Sequence, residues 1–408
     1  MHALPRISTL PTSETAMDEF FVSEQAAIVP PAITNNSESS LVVVWGVQGA
    51  ARLVGALFDL GGNPISREFA VNTSQGTVCS RPAAAHVRSG FAVTWIEGSP
   101  ARVVVRRFDR EGTPTGAPLQ VNQVLPMAGF GPAIARSPDR NSIVCWVGED
   151  SAVHAMAFDD AGNSRGPAFK VSSTAGSHTG PVRAIGLENN SFAVCWPDGL
   201  GNVLLQVLQT SGAPVGDART LDIFRFGDNF AIAPIVDQAP GTEPGHFALV
   251  HVTSALPEGQ RLVIGTVFGP SGAVLGNGSF NITQRDRNTI ASNPAMAALP
   301  SRRFLVTWSE ERPPGFGDTT GMNVAAMLCS EDRGPLPGAA DVDLGGLIPA
   351  LEISTSPGHQ SLPCAGFAMN FETGEQASMV VWLDDMGDSN VPTRAVKGRV
   401  LDRSGMPA

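Results

Sequence analysis

The sequence predicts an all-β fold: a seven-bladed β-propeller of four-stranded antiparallel blades, with the N-terminal strand completing the last blade. Three observations predict it. A tryptophan closes a short apolar run again and again along the 408 residues, an Asp-x-x-Gly turn keeps step with it, and the two chain ends are complementary parts of one repeat.

The tryptophan series runs LVVVW at 41–45, FAVTW at 91–95, IVCW at 143–146, FAVCW at 192–196, FLVTW at 304–308 and MVVW at 379–382. FALVH at 247–251 fits the same frame with His in place of Trp, which makes seven copies. The spacings are 50, 51 and 50, then 55, 57 and 74. Such runs are apolar at consecutive positions, so they suit a strand sandwiched between two neighbours rather than one with a wet face.

The second landmark is FDLGG at 58–62, FDREG at 108–112 and FDDAG at 158–162, with weaker forms ending at Gly212, Gly272 and Gly405. Asp in first place and Gly in fourth is the chemistry of a type I turn. The third landmark opens each unit: Pro31, Pro82, Pro132, Pro181, Pro294 and Pro363, with Phe230 where proline is missing. Small residues follow these positions, as expected of the crowded strand beside a central channel. Each unit therefore holds strands a to d, and blades start near 31, 82, 132, 181, 230, 294 and 363.

The ends settle closure. The seventh repeat stops after its c–d turn, and EFFVSE at 19–24 lies where a strand d belongs, resembling FAVN at 69–72 and LQVN at 119–122. Strand 19–24 should complete blade seven and remove the open edges of the ring. Residues 1–18 then form an extension and 19–408 one propeller domain. The FvVtW…rrFDxxGxpxG…qVN unit resembles that of bacterial β-propeller repeat proteins from Glu19 onward. The resemblance implies the fold and leaves the activity open, because such propellers serve as scaffolds, binders and enzymes.

Composition narrows the function. The net charge is −11, from 38 acids and 27 bases, which argues against non-specific nucleic-acid binding. No apolar run is long enough to span a membrane, and no signal peptide is visible. The five cysteines (Cys79, Cys145, Cys195, Cys329, Cys364) are widely spaced, giving neither a disulfide framework nor a CxxC site. Cys145 and Cys195 read as small buried strand residues, and a cytoplasmic location is expected. Tyrosine is absent, so no phenol can act as nucleophile and sialidase-type chemistry is closed. There is no P-loop, no GxSxG elbow, no HExxH and no dinucleotide fingerprint.

In a propeller the d–a and b–c connections emerge on the top face, and the a–b and c–d turns on the bottom. The Asp-x-x-Gly turns make the bottom short and uniform, whereas the top connections of blades five to seven are elaborated. The reading is a binding or scaffold propeller that holds a peptide, protein or small molecule on that face, as a monomer. Acids stand just past the tryptophan: Glu97, Asp198, Glu310 and Asp384 two residues after it, and Glu149 three after. With Glu311, Arg312 and Asp385 they form a candidate ligand rim that would attract a cation, an amine or a basic peptide. The alternative is an enzyme, a hydrolase, lyase or isomerase, at the channel mouth. Its candidate catalytic residues are His178, His359, Arg285, Arg287 and Asp384. His246 and His251, five apart, are placed on opposite faces of one strand. No cofactor and no metal site is predicted, though the rim could take a cation. Asp341, Asp343 and Glu352 match a calcium loop superficially, but Gly345 lacks the fifth ligand oxygen and Pro349 interrupts.

Overall fold

The structure is a computed structural model that describes residues 19–408 apart from 24–25, 38, 48–51, 74–79, 173–179, 224–225, 238–242, 257–258, 277, 284–289, 312–321, 332–333, 336–350, 355–358, 371, 386–393, 405–406 and 408. The described residues form seven antiparallel sheets and no helix. Blade two shows the pattern: strands a (Ala83–Val87), b (Gly90–Glu97), c (Arg102–Asp109) and d (Leu119–Gln120) pair in chain order. Strands a of successive blades touch, and that of blade seven (His359–Met369) touches that of blade one (Ala27–Ser37), so the ring is closed.

Strand b is buried on both faces, as its sequence requires; every residue of Ser40–Val47 and of Gly90–Glu97 is out of water. Seven apolar clusters result, one between each pair of neighbouring blades. In six of them a tryptophan packs against the blade before it: Trp45 against blade seven, Trp95 against blade one, and so on round to Trp382 against blade six. The cluster between blades four and five has no tryptophan and is filled by Phe230, Phe247 and Phe268. His251 occupies the tryptophan position of that blade, buried beside Phe226.

Two polar devices recur on this apolar frame. The Asn that ends the qVN motif clamps the start of strand c: Asn72 Oδ1 accepts Leu53 N at 2.9 Å, and Asn122 Oδ1 accepts Val103 N at 2.8 Å. Ser172, Thr283 and Ser354 do the same from blades three, five and six. At the bottom, Gly112 donates to the Asp109 carbonyl at 3.2 Å while Asp109 Oδ1 accepts Thr113 N at 2.7 Å. Gly112 has φ +83°, and a Cβ there would lie 2.7 Å from the Phe69 ring of the preceding blade. Glycine is needed both for the turn and for this contact.

Closure is as the chain ends predict. Phe20–Phe21 pairs with Arg394–Leu401, Phe20 standing opposite Gly398. Ser23 Oγ accepts Val396 N at 2.9 Å, the same clamp as in the other blades. Lys397, one of only two lysines, sits between Asp384 (2.6 Å) and Glu19 (3.4 Å) and lies 5.3 Å from the Phe21 ring centroid.

Blade six corrects the expectation of a uniform bottom face. Its strand c (Met322–Ser330) is followed by Gly334–Pro335, which pairs back at Cys329, where Pro64, Pro114 and Pro214 bridge back in other blades. Strand d comes only at Leu351–Glu352, so the c–d connection of this blade is long.

A second departure concerns strand a. In blades two, three and four it is short and regular: Ala83–Val87, Ala133–Arg136 and Arg183–Leu187. In blades one, five, six and seven it is longer and bulged near the landmark position, which is proline in all of these but blade five. Val29 to Ala32 faces Gly46 to Val44, Phe226 to Phe230 faces Thr253 to His251, Ser292 to Ala295 faces Ser309 to Thr307, and Ser361 to Cys364 faces Leu383 to Val381. Each bulged strand inserts extra residues against a regular partner, which bends it and re-aims its side chains.

A candidate anion site at the upper end of the channel

The bulges sit at one height, near the top of the channel, and two arginines from the regular arc point at them. Arg81 stands just before strand a of blade two. Its guanidinium reaches past blade one, donating to the Pro31 carbonyl at 3.3 Å and to Cys364 Sγ of blade seven. The Cys364 thiol donates to the same carbonyl at 2.9 Å. Arg183 opens strand a of blade four. It donates to the carbonyls of Phe230 at 3.2 Å and Val182 at 3.4 Å and to Asn229 Oδ1 at 3.5 Å, with its guanidinium 5.9 Å from the Phe230 ring centroid. Asn229 Nδ2 donates in turn to Asn293 Oδ1 at 3.2 Å, linking the bulges of blades five and six.

The electrostatics are unusual. Desolvation and the charge of Arg81 push Arg183 down to about 10, with Cys364 acting in the opposite direction. The two guanidiniums are thus close enough to repel, and among the described residues neither has a carboxylate partner. A half-buried pair of cations held only by carbonyls, amides and a thiol is costly unless an anion shares the site. Planar guanidinium forks match carboxylate, sulfate or phosphate oxygens two at a time.

The acids singled out from the sequence have other partners. Residues two apart on a strand share a face, so Glu97 lies beside Trp95 and accepts its indole N–H at 2.7 Å, with Arg102 at 3.1 Å. Glu310 accepts the Trp308 indole at 2.9 Å. Both are buried, 4% and 5% exposed. Asp384, one methylene shorter, is 1% exposed and turned to Lys397, with Gln360 Nε2 at 3.5 Å. Asp198 accepts the backbone N–H groups of Leu200 and Asn202, both at 2.8 Å, and so stabilises its own turn. Glu149 and Glu311 are exposed, and Asp385 lies 3.9 Å from Arg394. His359, also exposed, is in register with Asp385 and accepts Met322 N at 3.4 Å.

His178, Arg285, Arg287, Arg312, Asp341 and Asp343 lie outside the described residues, and Glu352 is described by its backbone pairing to Ala325 alone. Among the described residues no group of three or more His, Cys, Asp or Glu could hold a metal ion. His246 corrects one expectation: it precedes the strand Phe247–Thr253 that holds His251, and its Nδ1 is hydrogen-bonded to Glu331 of blade six. Cys145, Cys195 and Cys329 are buried thiols whose pKa burial pushes up, as befits packing residues. The arginine pair itself was missed. Its one signal was an Arg immediately before Pro82 and another two residues after Pro181, at the channel-lining landmark of blades that otherwise carry only small residues there.

No family profile matches the sequence, and no curated protein does. Solved structures do match in fold. A lectin, BP39L from Burkholderia pseudomallei, is 15% identical with a TM-score of 0.55, covering 95% of this chain and 99% of its own. A polysaccharide lyase of family PL25, an ulvan lyase solved with a -[GlcA(1-4)Rha3S]- ligand, is 10% identical with a TM-score of 0.54, covering 95% and 97%. The chain is therefore a seven-bladed propeller by fold, an architecture that carries binding in one of these proteins and catalysis in the other. Among the described residues no helix is long and apolar enough to cross a membrane.

Proposed function

We propose that this chain is a ligand-binding propeller that takes a carboxylate-bearing small molecule on its top face, the anionic group entering the upper end of the channel. The observation that carries the reading is the convergence of Arg81 and Arg183 without a carboxylate partner among the described residues, beside the Asn229 and Asn293 amides. Arg81 and Arg183 would grip the anion, and the bulged strands of blades five, six and seven would supply the neutral donors and acceptors around it. The elaborated top connections of those blades would contact the remainder of the ligand.

Thermal unfolding of the full chain with citrate, glucuronate and sulfate, against glucose as the uncharged control, tests the reading. A ligand that binds only the folded state raises stability in proportion to the logarithm of its concentration above Kd. We expect at least one anion to raise the melting temperature while glucose does not, and the Arg81→Gln, Arg183→Gln double variant to lose the shift. Equal responses of the native and double-variant proteins would end the proposal.

A further inference from the structure

The opposite end of the channel, level with the a–b turns, opens into a cavity of about 560 Å³ lined by residues from all seven blades. That volume lies in the range of small-molecule sites, roughly 300–1,000 Å³. Its walls are largely apolar, with Ile33, Ile134, Ile185, Phe367 and Met369 among them. Among its polar groups, His86 of blade two and Arg136 of blade three stand on adjacent strands.

Arg136 Nε and His86 Nδ1 are both buried and have no hydrogen-bond partner. Arg136 is always charged, and its guanidinium stands on the cavity wall with one N–H left without an acceptor. Two acids, Asp160 and Asp139, act on Arg136 through their charge. Asp160 pairs with Arg88 at 3.1 Å, and Asp139 accepts Asn141 Nδ2 at 2.7 Å and the Ser137 hydroxyl. Burial first, then the charges of Arg136 and Arg110, lower His86 to about 4, against a weaker upward pull from the Asn36 and Gly90 backbone. The imidazole is therefore neutral near pH 7 and adds no charge to this wall of the cavity. Asp237 stands on the opposite wall, its Oδ2 accepting Ser301 N at 2.9 Å. Its charge disfavours a ligand with a second negative group.

We infer that the lower channel is a second ligand site, built for a monocarboxylate with an apolar body. The carboxylate would accept from Arg136, and the body would lie among Ile33, Ile185 and Phe367. This site shares no residue with the upper one, so the two proposals stand or fall separately.

Calorimetric titration of the full chain with octanoate, and with octanamide as its uncharged counterpart, is the test. One octanoate should bind per chain, at least tenfold more tightly than octanamide. Arg136→Gln should abolish that preference, and Ala298→Leu, which narrows the apolar wall, should weaken both ligands. The Arg81→Gln, Arg183→Gln variant should bind octanoate as the native protein does. Failure of octanoate to bind, equal affinity for octanamide, or loss of octanoate binding in the Arg81, Arg183 variant would each overturn the inference. Ala298→Leu keeps it falsifiable should Arg136→Gln fail to fold.

Discussion

Blades two, three and four form a regular arc in which strand a is short and lines the channel with small residues. Blades five, six, seven and one form a second arc whose a strands are bulged at a common height. In the rest of the blade the two arcs are alike: a tryptophan between blades everywhere but in blade five, the clamp on strand c and the turn glycine. Packing between blades is a shared problem with one main solution, and only the cluster between blades four and five replaces its tryptophan with phenylalanines. The upper channel belongs to no single blade, and there the arcs differ. The regular arc contributes two arginines, and the bulged arc contributes the carbonyls, amides and thiol that they meet. The site exists because the arcs are different.

The largest expected effect breaks the bulged arc at its seam. Lys397→Met leaves the Asp384 and Glu19 carboxylates buried without their cation, and removing one partner of a buried ion pair costs about 3–5 kcal/mol. Urea unfolding should show that loss, and a change below about 1 kcal/mol would mean the seam does not depend on the ion triad.

A somewhat smaller effect belongs to the regular arc and is a matter of pH. Folded His86 takes its proton only below about 4, against 6.5 for the ordinary residue. Between those values the unfolded chain binds more protons, so stability should fall as pH drops through that window and be fully present above it. The loss should reach roughly 2–3 kcal/mol at the acid end. His86→Gln should flatten this part of the pH profile, and an unchanged slope would remove His86 as its source.

The turn glycines test the claim that the arcs agree at the bottom. Gly62 and Gly112, one in each arc, both have positive φ, +78° and +83°, and both press on an aromatic ring of the preceding blade. Gly62→Ala and Gly112→Ala should each cost about 2 kcal/mol. Gly116→Ala, with nothing within 4 Å of its new Cβ, should cost far less. A large difference between the first two would show that the arcs are unequal below the bulges as well.

The smallest effect compares the acids after tryptophan. Glu97→Ala and Glu310→Ala each strand a buried indole N–H and should lower stability by about 1–2 kcal/mol, equally in the two arcs. If either substitution instead changed ligand binding without changing stability, the acid would belong to a site after all.

The ring was legible because its determinants are local and repeated. A strand buried on both faces must be apolar throughout, a tight turn needs Asp and Gly, and a missing strand d at one end must be supplied from the other. Phe20 opposite Gly398 was in that sense written in the two termini. The acids were legible as a pattern but not in their work. Glu97 and Asp384 occupy equivalent places, yet one reaches back to an indole and the other, a methylene shorter, turns to Lys397. Side-chain reach and the neighbouring blade decide between these outcomes, and neither is contained in a two-residue spacing.

What the sequence determined by itself is the number of blades, their strand order and the seam, all of which follow from short-range periodicity and turn chemistry. Tertiary structure alone decided which side chains share the channel. Arg81 meets Cys364 across a separation of 283 residues. This encounter depends on ring closure and on the bulges, which rotate strand a at one height and leave no periodic trace in the chain.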